Sequence, residues 1–486
     1  MKDILFRRKA IAAPDAVGSG LKRVLGPVHL TLMGIGAIIG TGIFVLTGTA
    51  AAGGPGHEGA GPALMVSFLL TGFTCGLAAL CYAELASMMP VAGSAYAYAY
   101  AAFGELVAWI IGWDLILEYA VGNVAVAIGW SSYFQSLLAA GGMHLPVWLG
   151  TDPMTASYAA PHVFDAAPTV LGLPIVFNLP AFLVVVVMTA ILSIGIRESA
   201  TANAWLVAIK LGMIALFLWV GVGHVDATNW VPFAPNGWNG IVTGAALVFF
   251  AFIGFDAVST TAEEARNPQR DMPIGIMASL LVCTLLYVAV TVVLTGMVPV
   301  SALANAEPVA AALRFVGEAR VAALLSAGAV ISIASVLLVM QMAQTRIFFA
   351  MSRDGLLPRG LSRVHARWGT PLLPTVLTGL VVAVAAGFMD ISAAAELTNI
   401  GTLFAFVIVS GGVWWLRVHQ PDLHRPFRVP FVGVVSTAAM LSCFYLMLGL
   451  PAVTWERFGI WLLLGLIIYF VFGLRHSRLG HTQSIQ

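Results

Sequence analysis

Two short glycine-marked stretches and a few ionisable residues carry the types and spacing for chemistry. The first stretch reads Gly34-Ile-Gly-Ala-Ile-Ile-Gly-Thr-Gly-Ile-Phe44. Each glycine costs up to about 1 kcal/mol inside a helix. Gly36 and Gly40 keep the four-residue spacing of close helix packing, but Thr41 and Gly42 do not fit it. Unwinding there frees the amides of Gly40, Thr41 and Gly42 at the start of a helical half. That end carries a partial positive charge and suits a carboxylate. The second stretch reads Phe249-Phe-Ala-Phe-Ile-Gly-Phe-Asp-Ala-Val-Ser259, with Gly254 and Asp256. Freed carbonyls at Ile38, Phe250, Ala251 and Ile253 suit an ammonium. Both functions at short range suit an α-amino acid zwitterion.

The ionisable residues inside apolar stretches are the other candidates, because charge within a membrane is costly and functional by default. Lys210 is the one cation within such a stretch, about 11 Å from its inner end at 1.5 Å per residue. Two readings stand: a lysine stem that snorkels to the interface, or a buried amine that exchanges a proton during a cycle. Asp114 and Glu118 are four residues apart and share a helical face. Glu118 falls near mid-depth, where it either faces the substrate and relays protons or holds a neighbouring helix. Asp114 reads as structural. Asp256 directly follows the second glycine break and either stabilises it or meets the substrate. Glu84, Glu263, Glu264 and Arg266 read as pairing or gating at the inner ends of helices. None of the ten histidines falls mid-span, which disfavours a histidine relay.

The elements that position these residues follow from composition. The chain has 486 residues, 60% apolar and 9% charged, with a mean hydropathy of +0.94. Soluble domains carry about 25% charged residues, so most of this surface does not face water. A soluble enzyme, a nucleic-acid binder and a disordered chain are excluded. The pattern predicts an all-α polytopic membrane protein with twelve spans: 28–51, 62–87, 104–138, 181–199, 203–222, 240–262, 273–298, 320–350, 374–390, 393–415, 431–451 and 455–474. The fourth and fifth are divided only around Arg197-Glu198, and the ninth and tenth only around Asp390. The runs are continuous, unlike the alternating segments of a membrane barrel. The four cysteines, Cys75, Cys81, Cys283 and Cys443, all lie in apolar runs without a CxxC pair, which points to neither a disulfide framework nor a zinc site.

Gly40 lies about 18 Å into span 1 and Gly254 about 21 Å into span 6, both near the middle of a ~30 Å core. Broken segments at corresponding places in two halves mark an inverted-repeat transporter. The expected organisation is a cytoplasmic tail over 1–27, a first five-helix repeat over 28–222, a second and inverted repeat over 240–415, two peripheral helices over 431–474, and a cytoplasmic tail over 475–486. With the tail inside, 19 of the 23 Lys and Arg lie inside, Arg314, Arg320 and Arg457 lie outside, and Lys210 lies within. That asymmetry follows the positive-inside rule and predicts a multi-pass protein of the plasma (bacterial inner) membrane with both termini cytoplasmic. The outer segment 139–180 reads as a passive structured cap.

No span shows a polar stripe along its length, which argues against a channel. Neither HExxH nor GxSxG occurs within a span, so an enzyme is not indicated. No GxxxxGK[ST] loop occurs, which leaves ATP-driven pumping unsupported. No cofactor or metal is expected. The expected partners are a substrate, a proton and membrane lipid.

Gly36-Ala-Ile-Ile-Gly-Thr-Gly-Ile-Phe44 resembles the span-1 signature of the amino acid–polyamine–organocation transporters. Phe250-Ala-Phe-Ile-Gly-Phe-Asp256 and Ala262-Glu-Glu-Ala-Arg-Asn-Pro268 resemble their span 6 and the loop after it. Glu396-Leu-Thr-Asn-Ile-Gly-Thr-Leu-Phe-Ala-Phe406 and Arg425-Pro-Phe-Arg-Val-Pro430 are similar to the cationic amino acid transporter subgroup, including its bacterial members. The resemblance implies the leucine-transporter fold, a ten-helix core of two inverted fives plus two peripheral helices. It implies substrate contacts at Ile38, Thr41 and Gly42 and at Phe250, Ala251 and Ile253, with Phe250 as an aromatic gate; the candidate site also includes Ile39 and Gly40. It further implies that the Lys210 ammonium stands where sodium-coupled relatives hold a cation. Lys210 and Glu118 are the proton-coupling candidates. The expected function is proton-coupled symport of L-amino acids, small neutral ones first. An amino acid or polyamine exchanger, including one for cationic amino acids, is the alternative.

Overall fold

The computed structural model describes residues 5–9, 25–54, 57–89, 93–170, 172–195, 200–259 and 261–478. Most of the expected N-terminal tail, the C-terminal tail beyond residue 478 and the Arg197-Glu198 division lie outside the described residues. Apart from two short hairpins, Gly53–Gly54 with His57–Glu58 and Thr169–Val170 with Leu173–Pro174, the architecture is helical.

Helices lie on all twelve expected spans, shifted by a few residues at their ends. Span 1 is α1 (Pro27–Ile38) followed by α2 (Thr47–Ala52), and span 2 is α3 (Leu64–Met88). A short helix, α4 (Ser94–Ala102), leads into the 36-residue α5 (Glu105–Ala140). Next come α6 (Leu179–Ser193) and α7 (Ala200–Val222). Span 6 is α8 (Gly237–Val248) with α9 (Phe255–Ser259), and span 7 is α10 (Pro268–Met297). The remainder are α11 (Pro308–Phe315), α12 (Ala319–Arg353), α13 (Leu372–Phe388), α14 (Ile391–His419), α15 (Val432–Leu448) and α16 (Ala452–Ile468). Among the described residues, eight helices are long and apolar enough to cross a membrane, and the bent pair of span 1 makes a ninth. The three others, α6, α13 and α15, have 15 to 17 residues, below the ~20 of a perpendicular span.

Local chemistry sets these boundaries. The expected fourth span runs to residue 199, but α6 ends at Ser193 because Gly195 turns left-handed at φ +80°. The ninth and tenth spans separate at Asp390, whose carboxylate caps α14 by accepting from the Ala393 amide at 3.0 Å. Asn178 caps α6 in the same way and also accepts the Ser131 hydroxyl at 2.6 Å. The outer cap has its own small core of Ala156, Val163, Ala167 and Val176. Tyr158 and Thr155 of the cap reach Asp390 at 3.3 Å, which seats it on the α13–α14 corner.

The helices that pack most extensively include α5 on α12, α3 on α10, α6 on α13 and α1 on α10. At the C-terminal ends of α3 and α14, the buried Glu84 carboxylate takes the Arg417 guanidinium bidentately at 2.8 and 2.7 Å. Arg425 stands 3.4 Å away and the Val429 amide donates at 2.7 Å. The expected pairing of Glu84 is thus with Arg417 of α14 and with the Arg425–Pro430 loop. Glu264 lies 3.9 Å from Arg346.

Candidate functional site

Both glycine stretches break their helices. In span 1, α1 ends at Ile38, and Ile39 after it is extended at φ −74° and ψ 106°. The chain resumes with a wide π turn over Gly42–Leu46, and the two halves are bent by 40°. In span 6, α8 tightens into a 3₁₀ turn over Phe249–Phe252. Ile253 is extended, and Gly254 takes φ +120°, a conformation open to glycine and strained for any other residue. The breaks interlock. A Cβ on Gly42 would collide with the Ala251 backbone, and one on Gly254 would stand 2.9 Å from the Ala37 carbonyl. Two backbones approach at van der Waals distance only because neither position carries a side chain.

An interrupted helix leaves carbonyls and amides that must be paired where water is scarce. The structure supplies side chains for them. The Lys210 ammonium, fully buried on α7, donates to the carbonyls of Gly36 and of Ile39, the latter at 3.1 Å. A cation on the last carbonyls of a helix also meets the negative end of its dipole. The snorkelling reading of Lys210 therefore fails: its head lies inward, on α1. Tyr287 on α10 places its hydroxyl 2.9 Å from both the Ile38 and the Ala251 carbonyls, joining the two breaks. Tyr133 on α5 donates to the Phe44 carbonyl at 2.7 Å within the π turn. Asn399 on α14 donates to Ala246 at 2.7 Å and Leu247 at 3.1 Å, carbonyls freed at the end of α8.

The remaining site residues fall on the same centre. Gly40 faces Val336 of α12, and Thr41 packs on Gly129 of α5 with its hydroxyl 3.5 Å from the Val126 carbonyl. Ile38, Ile39, Thr41, Gly42, Phe250, Ala251 and Ile253 are all buried. Two of the four carbonyls expected to stand open, Ile38 and Ala251, are engaged by Tyr287, and the Phe250 carbonyl accepts the Ile253 amide at 3.3 Å. Phe249 and Phe252 pair edge-on with Phe406 and Tyr287. Phe250 has no ring partner among the described residues, so its side chain is the unpaired aromatic at the break.

Glu118 and Asp114 lie further towards the N-terminal end of α5, and Asp256 lies at the span-6 break. Glu118 is eight residues before Val126 on α5, about 12 Å along the helix. It is buried and faces Thr402 of α14. Asp114, one turn further in, packs against Gly401. Asp256 is taken up by the span-6 break: its carboxylate accepts the Gly254 amide at 3.2 Å and the Tyr119 hydroxyl at 3.1 Å. That geometry favours the stabilising reading of Asp256 over direct substrate contact. Among the described residues no group of three His, Cys, Asp or Glu side chains is placed to hold a metal.

Sequence reasoning overlooked Tyr287, Tyr133 and Asn399. Each had a signal available, a hydrogen-bonding side chain inside an apolar run, which in a membrane needs a partner.

Comparison with known proteins agrees with this arrangement. A family model described as amino acid permease matches residues 25–472. The chain is 48% identical over 478 residues to a methylthioribose transporter of Bacillus subtilis, covering 98% of this chain and 99% of that protein. It is 48% identical over 485 residues to the branched-chain amino acid permease BcaP of the same organism, covering 99% and 100%. A vacuolar cationic amino acid transporter 4 of Arabidopsis thaliana is 39% identical over 429 residues, 86% of this chain and 68% of that protein. A glycine-broken, side-chain-capped helix pair within an apolar helical bundle, matched along nearly the whole chain, places this protein in the amino acid permease family of the amino acid–polyamine–organocation superfamily, among transporters and not enzymes.

Proposed function

We propose that this protein is a proton-coupled symporter that imports neutral L-amino acids, small aliphatic ones first, across the plasma membrane. The reading takes a leucine-transporter-like core, two inverted fives over 28–222 and 240–415 with both termini cytoplasmic. In support, helices five apart in the order of spans pack on one another: the breaks of spans 1 and 6, α3 with α10, α5 with α12 and α6 with α13. Elements near a pseudo-twofold axis meet their symmetry mates in this way. Ile38, Ile39, Gly40, Thr41 and Gly42 receive the substrate carboxylate and amino group with Phe250, Ala251 and Ile253. Phe250 closes over them.

The observation that carries the coupling is the Lys210 ammonium on the carbonyls of Gly36 and Ile39. A protonated amine there supplies the positive charge that a bound metal cation would otherwise bring. Loss of its proton takes away the charge that strengthens the tie between α7 and α1, so protonation and the position of α1 are linked. Glu118 is the second proton-coupling candidate. The neutral substrate class is supported by the engagement of the Asp256 carboxylate within the span-6 break, and by the named substrate of the B. subtilis branched-chain permease.

The test is uptake of labelled alanine and leucine into proteoliposomes under an inward proton gradient, with choline in place of sodium and a panel of unlabelled competitors. Accumulation without sodium, blocked by neutral competitors, is expected. A strict sodium requirement overturns the coupling, and competition by arginine alone overturns the substrate class.

A further inference from the structure

Away from the broken helices, the inner edge of the molecule carries a groove that the transport reading does not use. A cavity of about 560 Å³ lies between the start of α10 and the loop before α15, lined by Gln269, Arg270, Ile274, Met277 and Phe427 among others. A second cavity of about 270 Å³, lined by Pro27, Val28, Thr31 and Leu32 of α1, shares Ile274 with it. Together they form one trough beside the inner half of span 1, polar at its mouth and apolar along its length.

The trough has the two-part character of a lipid. Arg270 sits in the first turn of α10 and is exposed, and its guanidinium makes no ion pair or hydrogen bond with any described residue. The nearby carboxylate of Asp271 is buried and accepts the Asn267 amide at 3.2 Å, so it does not neutralise Arg270. Below Arg270, Ile274, Leu281 and Leu285 follow at helical spacing on one outward stripe, 40%, 62% and 63% exposed. Hydrocarbon is the medium for such a stripe in a spanning helix. An arginine unpaired among the described residues, at the inner end of this stripe and on the face that holds most of the Lys and Arg, meets the anionic leaflet.

We propose that this trough is a binding site for one anionic phospholipid of the inner leaflet. The phosphate rests on Arg270 and the Gln269 amide, and an acyl chain lies along Ile274 and Met277 towards Leu281. Because Pro27–Leu32 form the other wall, the bound lipid lies against α1, the half-helix whose far end Lys210 holds.

The experiment uses the full-length protein, stripped of lipid in mild detergent and titrated with phosphatidylglycerol or phosphatidylcholine while retained lipid is counted by native mass spectrometry. Phosphatidylglycerol should bind at least about fivefold more tightly than phosphatidylcholine, from one arginine's worth of surface attraction. Arg270→Gln should erase that preference and Arg270→Lys should keep it. Ile274→Trp, which fills the trough at an exposed position, should lower retention of both lipids. Gel filtration of each variant verifies that it is folded. Equal affinity for the two lipids in the wild type, or an unchanged preference in Arg270→Gln, overturns the proposal. Displacement of phosphatidylglycerol by inorganic phosphate at equal concentration also overturns it, because the site then takes a free anion and not a lipid.

Discussion

The hydroxyl of Tyr287 stands 2.9 Å from the Ala251 carbonyl oxygen and equally far from that of Ile38. A phenol has one proton to donate, so it is shared between a carbonyl of span 1 and one of span 6. The two breaks therefore report on each other: a movement that draws them apart must choose which carbonyl keeps the bond.

Tyr287→Phe should keep the packing against Phe68 and Phe252 while leaving two buried carbonyls without that donor. An unpaired buried group costs about 1–3 kcal/mol, which is roughly tenfold in an equilibrium. Substrate affinity, read by the thermal shift of purified protein on adding amino acid, should fall by about tenfold. Unchanged affinity would show that Tyr287 is packing alone.

Gly42→Val should abolish substrate binding in a protein that still inserts. The added Cβ collides with the Ala251 backbone, so the breaks are forced apart, and a β-branched residue removes the freedom of the unwound turn. Gly76, whose Cβ would meet nothing within 4 Å, is the control: Gly76→Ala should bind and transport as the wild type does. Near-normal affinity in monodisperse Gly42→Val would remove the span-1 break from the site.

Glu84→Gln tests the inner clamp. It leaves Arg417 and the buried Arg425 facing a neutral amide where a carboxylate had accepted two guanidinium bonds and the Val429 amide. Removing one partner of a buried pair costs about 3–5 kcal/mol. The expected result is a marked drop in the melting temperature measured in detergent, together with lower yield. Arg417→Lys should be milder, because it keeps the charge and loses the fork that spans both oxygens. Stability equal to wild type in both variants would show that the cluster is not clamping α3 to α14.

The legible and the illegible parts of this molecule divide along a physical line. The apolar runs are legible because hydrocarbon demands long apolar helices, eight of which reach spanning length among the described residues, and the breaks are legible because glycine is costly within a helix. The partners of the breaks are not. Tyr287 lies 36 residues from Ala251 and 249 from Ile38, and nothing in spacing tells which tyrosine of an apolar run turns towards which carbonyl. Lys210 was recognised by its charge, yet its direction, inward to α1 or outward to the interface, needed the packing of α7 on α1. Asp256 was open between two roles because its bond to the Gly254 amide depends on a backbone turn two residues earlier. The length of α6 was overestimated because hydropathy continues past Gly195, whereas the positive φ at that glycine ends the helix.

Lys210 is the sharpest test of the coupling. Its ammonium completes the carbonyls of Gly36 and Ile39 at the end of α1, and an uncompensated charge at that depth would cost about 3 kcal/mol on insertion scales. Lys210→Ala removes both charge and donor. The inner half of span 1 loses its tie to α7, but the side of the breaks facing Phe250 and Gly42 is untouched. Substrate binding should weaken only a few-fold, whereas accumulation driven by a proton gradient should stop at every pH. Lys210→Arg separates charge from exchange. A guanidinium donates to carbonyls as well as an amine does, but it does not lose its proton in a protein. This variant should bind substrate and exchange it across the membrane while failing to concentrate it. The measurement compares gradient-driven accumulation with counterflow of labelled substrate for wild type and both variants. Counterflow without accumulation in Lys210→Arg is the expected signature. Full accumulation by Lys210→Ala would reduce Lys210 to a structural cap of α1 and move the coupling to Glu118.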